Sequence, residues 1–179
     1  FGCRAERDNV FIAHDDGGIR GDGRGLSALG KETVSALSLN GITLDCSHCS
    51  DKAFWDICEA TDRTFIATHS NSRSICGEKR NLTDEQAKEI FRRGGLVGLN
   101  FYKVFLGNGG SVRALITHIE RLFELGGEKG IAIGSDYDGA EIAKELFDLK
   151  KVEKRIAKAF GQSAADGIFY GNAARFFGF

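Results

Sequence analysis

The sequence predicts an α/β protein built on a parallel sheet. Two features carry that expectation: short apolar runs rich in β-branched residues or glycine, and longer segments of helical period between them. The runs are Val10 to Ala13, Ile42 to Ser47, Thr64 to Thr68, Leu96 to Tyr102 and Ile131 to Ser135. Strands alternating with helices of this length make βαβ units, whose strands all point one way.

The helices follow in order. Ser27 to Leu39 comes after Gly25-Leu26, and Asp51 to Ala60 carries Phe54, Trp55 and Cys58 at helical spacing. Thr83 to Arg93 opens with a capping box between Thr83 and Gln86. Ser111 to Leu125 puts Leu115, Ile119, Leu122 and Phe123 on one stripe and stops at Gly126-Gly127. Val152 to Phe160 and Ser163 to Tyr170 read as two further helices. No linker or repeat divides the chain, so residues 1–179 are expected to form a single domain.

Composition narrows the function classes. A net charge of −1 and 42% hydrophobic content fit a globular core and argue against a nucleic-acid or membrane-surface partner, which would call for a basic excess. No apolar stretch approaches the ~20 residues of a membrane span, so no membrane insertion is expected. The start, Phe1-Gly2-Cys3-Arg4, resembles neither a signal peptide nor an initiation site, and a soluble fragment is the expectation. Pro and Met are both absent, where average usage predicts about nine Pro; an engineered or composition-restricted sequence would explain this. Five cysteines, Cys3, Cys46, Cys49, Cys58 and Cys76, are an odd number that fits a reducing, cytoplasmic compartment better than a disulfide framework.

The ends of the strands carry the chemistry. They read Asp45-Cys46-Ser47-His48, Ala67-Thr68-His69-Ser70, Leu99-Asn100-Phe101-Tyr102 and Gly134-Ser135-Asp136-Tyr137-Asp138-Gly139. Parallel strands present these ends at one edge, so two imidazoles, an amide and a carboxylate should converge there, as they do at the active face of barrels. Alternation agrees in part. Gly98 shares a side with Asn100, and Ala132 and Gly134 share the side of Asp136, leaving Val97, Leu99, Ile131 and Ile133 to meet helices. Ile42 and Leu44 fall on the His48 side and break the pattern.

Each candidate has a plainer alternative. His48 and His69 suit one Zn²⁺ ion at about 2.0–2.1 Å, or are hydrogen-bonded loop histidines. Cys46-Ser47-His48-Cys49 could be a zinc knuckle or redox pair, but no second pair completes it. Asp136 could bind metal, accept a proton or hold an ammonium, while Asp138-Gly139 reads as a turn. Arg80 could grip a carboxylate in bidentate fashion, or pair locally with Asp84 or Glu85. His118 is expected on a helix surface. The glycine-rich stretch Gly17 to Gly25 lacks a Gly-Lys-Ser/Thr ending and reads as a loop.

These motifs together resemble the membrane (renal) dipeptidase family of zinc peptidases, from about Gly25 to Phe177. Gly25-Leu26-Ser27-Ala28-Leu29-Gly30 resembles the family's G-L-[ST]-x-[FL]-G opening, Leu44-Asp45-Cys46-Ser47-His48 its D-x-[SA]-H strand, and His69-Ser70-Asn71-Ser72 its H-S-x-[AS] segment. Arg80-Asn81-Leu82-Thr83-Asp84, Leu99-Asn100-Phe101-Tyr102, Gly134 to Gly139 and Tyr170-Gly171-Asn172-Ala173-Ala174-Arg175 follow in family order. The resemblance implies a (β/α)₈ TIM-type barrel that hydrolyses dipeptides at a two-zinc centre, of which this chain holds about the last five strands with their helices.

By position, the resemblance makes His48 and His69 ligands of one zinc. Arg80 would meet the substrate's terminal carboxylate, Asp136 the reacting amide nitrogen or free amine, and Tyr102 and Asn100 would line the site. The family's carbonyl-polarising histidine would be His14 if Val10 to His14 is a strand; a register placing Asp8-Asn9 in the family's N-x-x-N loop leaves His14 unrelated. The family's H-x-D pair and bridging Glu lie upstream of everything matched. His14-Asp15-Asp16 imitates the H-x-D at a distance from Gly25 that suits a later strand. Two imidazoles alone hold zinc weakly, and Asp136 or Asp16 could complete a rebuilt single-metal site. Five strands do not close an eight-stranded barrel. A homo-oligomer or a complementary N-terminal half-barrel is the expected partner, and the alternative to a dipeptidase is a non-catalytic half-barrel or scaffold associating through open edges.

Overall fold

The computed structural model describes residues 25–179. The expected strand Val10 to Ala13, His14, and the glycine-rich stretch as far as Arg24 lie outside them. From there the chain runs α1 (Ala28–Leu39), α2 (Asp51–Ala60), α3 (Asp84–Arg92), β1 (Val97–Leu99), α4 (Lys103–Leu106), α5 (Val112–Glu124), β2 (Ile131–Ile133), α6 (Leu149–Phe160), α7 (Gln162–Asp166) and α8 (Asn172–Phe177). The expected mixed α/β character holds.

Strand geometry is more economical than the apolar runs suggest. β1 and β2 pair in parallel, Val97 opposite Ile131 and Leu99 opposite Ile133. Single parallel bridges extend the arrangement, Asp45 to Ile66 and Ala67 to Val97. Four segments therefore lie side by side in chain order, all running the same way, with their polar ends on one rim. The run beginning at Ile42 is not a strand there: Ile42 is half exposed, and its N–H donates to Leu37 O in the turn that ends α1. Asp45 makes the segment's bridge and His48 has φ 74°. The broken alternation goes with a run that makes a strand bridge at Asp45 alone.

Local sequence explains where the helices start. Ser27, Ser50 and Ser111 each accept a backbone N–H three residues on, and Thr83 and Gln86 form the expected capping box. Asp148 caps Lys151, so α6 begins at Leu149 rather than Val152. The last helix runs past the expected stop at Tyr170. Gly171 has helical angles, and a π-helical stretch, Gly167–Gly171, joins α7 to α8. Asn172 then ties this tail to β2, its Nδ2 donating to Ile131 O at 2.7 Å and Glu128 O at 3.1 Å.

Val97, Leu99 and Ile131 belong to one apolar cluster with Ile90 of α3, Leu115, Ile119 and Leu122 of α5, and Val152 and Ile156 of α6. Burial of each such side chain contributes about 1.5–3 kcal/mol, so helix packing holds the short strands in place. The opposite side of the strands carries Gly98, Asn100 and Gly134.

His118 departs from expectation. It is fully buried in α5 rather than on its surface. Its Nδ1 accepts the Ser72 N–H at 3.1 Å, so Nε2 carries the proton and donates to Leu106 O at 3.1 Å. The ring bridges α5 to α4 and to the loop that follows His69, a role invisible to helical periodicity because both partners are backbone groups distant in sequence.

Burial lowers the His118 pKa below its ordinary 6.5. The unfolded chain therefore takes up a proton at a pH where the folded chain does not. The ring's contribution is fully present above about pH 6.5 and is lost as pH falls, by up to about 1.4 kcal/mol per unit, until the folded value is reached. Urea midpoints should fall between pH 7 and pH 5, and His118→Gln should flatten that slope. His118→Ala should cost about 2–4 kcal/mol at pH 7, through a cavity and two stranded backbone groups.

Candidate active site

His48 and His69 face each other across the rim, Nε2 to Nε2 at 2.9 Å. Asp45 organises the approach. Its Oδ1 accepts the Ser47 and Thr68 N–H groups at 2.9 and 3.0 Å, and its Oδ2 accepts the Thr68 hydroxyl at 2.5 Å. Thr68 Oγ1 lies 2.7 Å from His69 Nδ1, and Ser47 Oγ accepts the His69 N–H at 3.1 Å. One carboxylate thus locks two neighbouring strand ends together and orients the ring on the second.

The next two segments deliver an amide and a carboxylate. Asn100 is fully buried; its Nδ2 donates to Asp136 Oδ2 at 3.2 Å and its Oδ1 accepts the Tyr102 N–H at 2.7 Å. Asn71 holds Asn100 in turn, accepting its N–H at 3.1 Å and donating to its carbonyl at 2.9 Å. Asp136 has φ 61°, and Gly139 closes a turn back onto its carbonyl. His48 and Asp136 are thus both in left-handed backbone, a conformation that costs of order 1–3 kcal/mol at a non-glycine residue and clusters at functional sites.

Arg80 lies at this rim, 5% exposed. It donates to Ser70 Oγ at 3.0 Å and His69 O at 3.3 Å, with Phe105 under its guanidinium. Its Nε has no hydrogen-bond partner. The local alternative fails, because Asp84 is engaged by Arg121 and Ser74 instead. Tyr102 packs its ring edge-on against Phe105, the same ring that underlies Arg80. His14 lies outside the described residues.

Charge sets the state of the two imidazoles. Burial first, then the nearby Arg80 cation, lowers the His48 pKa from 6.5 to about 4, and the same causes lower His69. Asp45 and Asp136 act on both rings in the opposite sense without prevailing. Both rings are accordingly neutral at neutral pH, the form that ligates a metal ion. Cys46 is buried in the core, where burial pushes its thiol pKa well up, and among the described residues no third His, Cys, Asp or Glu joins this segment to complete a zinc knuckle.

The donor set fits part of a metal site. Two ring nitrogens at 2.9 Å approach the ~3.3 Å separation of two nitrogens sharing a tetrahedral zinc. Among the described residues no group of three or more His, Cys, Asp or Glu side chains is positioned to hold a metal ion. The two rings would supply at most a pair of ligands to such an ion.

Glycine makes the convergence possible. A Cβ on Gly98 or on Gly134 would sit 1.9 Å from the Thr68 carbonyl oxygen. The sequence reading placed small residues beneath the polar groups; what it missed was the role of Asp45 and Thr68, whose signal lay in the motif residues immediately around the two histidines.

A rim on a parallel α/β fold thus gathers two neutral histidines, an amide, a carboxylate and a buried arginine. Residues 11–178 match the family described as membrane dipeptidase, peptidase family M19, and the chain belongs to that family. An uncharacterized protein from the pqqA 5′ region of Klebsiella pneumoniae is 34% identical over 163 residues, covering 86% of this chain and 60% of that protein. A metallopeptidase from Rhodobacter sphaeroides, solved with a phosphinate mimic of the dipeptide L-Ala-D-Ala, superposes with a TM-score of 0.81 at 30% identity, covering 87% of this chain and 47% of that one. The dipeptidase AC, a family M19 metallopeptidase, superposes with a TM-score of 0.79 at 31% identity, covering 84% and 47%. The chain spans about half the length of these solved relatives. Among the described residues no helix is long and apolar enough to cross a membrane.

Gly98→Ala should cost about 1–3 kcal/mol by forcing the Thr68 carbonyl aside. Gly77→Ala, where a Cβ meets nothing within 4 Å, should be neutral or stabilising by up to about 1 kcal/mol. Urea unfolding of both variants checks the contrast.

Proposed function

We propose that this chain is the C-terminal side of a zinc-dependent dipeptidase, hydrolysing the peptide bond of dipeptides on a partial (β/α)₈ barrel of about five strands. The observation that carries the reading is Arg80: a buried cation with no ion-pair partner among the described residues and an unsatisfied Nε, close enough to two neutral histidines to lower both their pKa values. A buried guanidinium edge of this kind suits a ligand carboxylate, which it can hold with two parallel hydrogen bonds. Family membership and the dipeptide mimic bound by the Rhodobacter sphaeroides relative support the substrate class.

His48 and His69 would hold one zinc ion through Nε2. Zinc, when bound, supplies Lewis acidity and an activated water at neutral pH. Arg80 binds the terminal carboxylate of the dipeptide and so fixes which peptide bond reaches the rim. Asp136, steadied through Oδ2 by Asn100, takes the free ammonium or the departing amide nitrogen. Tyr102 bounds the pocket on the Phe105 side. The remaining ligands would come from residues upstream or from a complementary N-terminal half-barrel, and a cytoplasmic setting suits the odd cysteine count.

A second reading keeps the fold without the chemistry. Among the described residues β2 pairs with β1 alone, and that edge suits self-association as a homo-oligomer or scaffold.

Zinc titration and dipeptide hydrolysis separate the two. The dipeptidase reading expects one zinc bound through the pair and a loss of more than about 100-fold in affinity for His69→Ala, beyond the 10–100-fold typical of residues behind the ligands. Arg80→Met should raise KM for dipeptides by about 10–100-fold, the worth of charge-assisted hydrogen bonds, and leave C-terminally amidated dipeptides unaffected. A metal-free, inactive oligomer would establish the scaffold instead.

A further inference from the structure

We infer that Asp45 and Thr68 are positioning residues that hold His69 as the tautomer with a proton on Nδ1 and a bare Nε2. The inference rests on the metal-ligand reading of His69 and adds what prepares that ligand before any ion arrives.

Proton counting carries it. Thr68 Oγ1 has one proton and three neighbours: Asp45 Oδ2 at 2.5 Å, His69 Nδ1 at 2.7 Å and Ser47 Oγ at 3.4 Å. A carboxylate only accepts, so the short contact to Asp45 takes the hydroxyl proton. The Ser47 contact is too long to compete. The Thr68 oxygen is then an acceptor toward His69, and the proton on that contact must be carried by Nδ1. Nε2 is left bare and points at His48. In the metal-free chain His48 meets it by donating its own Nε2–H across the 2.9 Å gap. His69 is thus ready to ligate without rearrangement, and His48 is the ring that changes tautomer.

The rest of the Asp45 carboxylate makes the arrangement testable. Oδ1 accepts two backbone N–H groups, from Ser47 and Thr68. In Asp45→Asn the side-chain oxygen must stay at that position, which puts the amide NH₂ against Thr68 Oγ1. Thr68 would then receive a proton from Asn and pass its own to His69 Nδ1, moving the ring proton to Nε2. One atom changed two residues away should invert the ligand's tautomer. Thr68→Val removes the relay at nearly constant volume, and Thr68→Ser keeps it.

The experiment is long-range ¹H–¹⁵N correlation on the metal-free chain, with the His69 signals assigned by their loss in His69→Gln, followed by zinc titration of the same samples. Wild type and Thr68→Ser should show Nδ1–H with bare Nε2. Asp45→Asn should show Nε2–H, and Thr68→Val a mixture. Zinc affinity should fall about 10–100-fold in Asp45→Asn and Thr68→Val and stay within a few-fold of wild type in Thr68→Ser. A wild-type His69 protonated on Nε2, or one unmoved by Asp45→Asn and Thr68→Val alike, overturns the inference. If Thr68→Val does not fold, Asp45→Asn and Thr68→Ser still decide it. Absence of zinc binding in wild type would sink the metal-ligand reading separately, since the tautomer is read without metal.

Discussion

The contact on which the rim depends is a backbone one: the carbonyl of Thr68 lodged against Gly98 and Gly134. Both glycines lie where a Cβ would occupy the same 1.9 Å from that oxygen. Three segments can approach closely enough to share polar groups only because two of them have no side chain at this level. Everything above is a consequence. His69 follows Thr68 by one residue, Asn100 follows Gly98 by two, and Asp136 follows Gly134 by two. A strand advances about 3.3 Å per residue, so the glycines set the level and the polar groups stand immediately over them.

Electrostatics then determines what such a rim can hold. Burial and the Arg80 cation keep both imidazoles uncharged. Arg80 itself is held by neutral acceptors, Ser70 Oγ and His69 O, and not by a carboxylate. A guanidinium in that setting has its desolvation cost only partly offset. The hydrogen bonds of Asn71 and Asn100 supply rigidity instead of charge, so they order Asp136 without neutralising it.

Much of this was legible in the chain. Helix starts follow from Ser27, Ser50, Thr83 and Ser111, because capping is local chemistry. The parallel order follows from alternation of strand and helix, and the convergence of His48, His69, Asn100 and Asp136 from the common direction of the segments. What escaped was non-local. His118 reads as a surface residue because its partners, Ser72 N and Leu106 O, are backbone groups that no periodicity reports. The run from Ile42 reads as a strand because apolar letters do not reveal a chain still completing the turn after α1. The tail reads as ending at Tyr170 because Gly171 suggests a stop, whereas packing against β2 through Asn172 keeps it helical.

Asn172 has one more effect. Gly130 and Gly134 exchange backbone hydrogen bonds with β1, so by the alternation of a parallel ladder the groups of Ile131 and Ile133 face away from it. The Ile131 carbonyl on that outer side already receives the Asn172 amide. The tail therefore covers this margin of β2 at its first outward-facing carbonyl. A single amide thereby does for the outer margin of β2 what a further ladder rung would do, and fastens the C-terminal helix to the sheet.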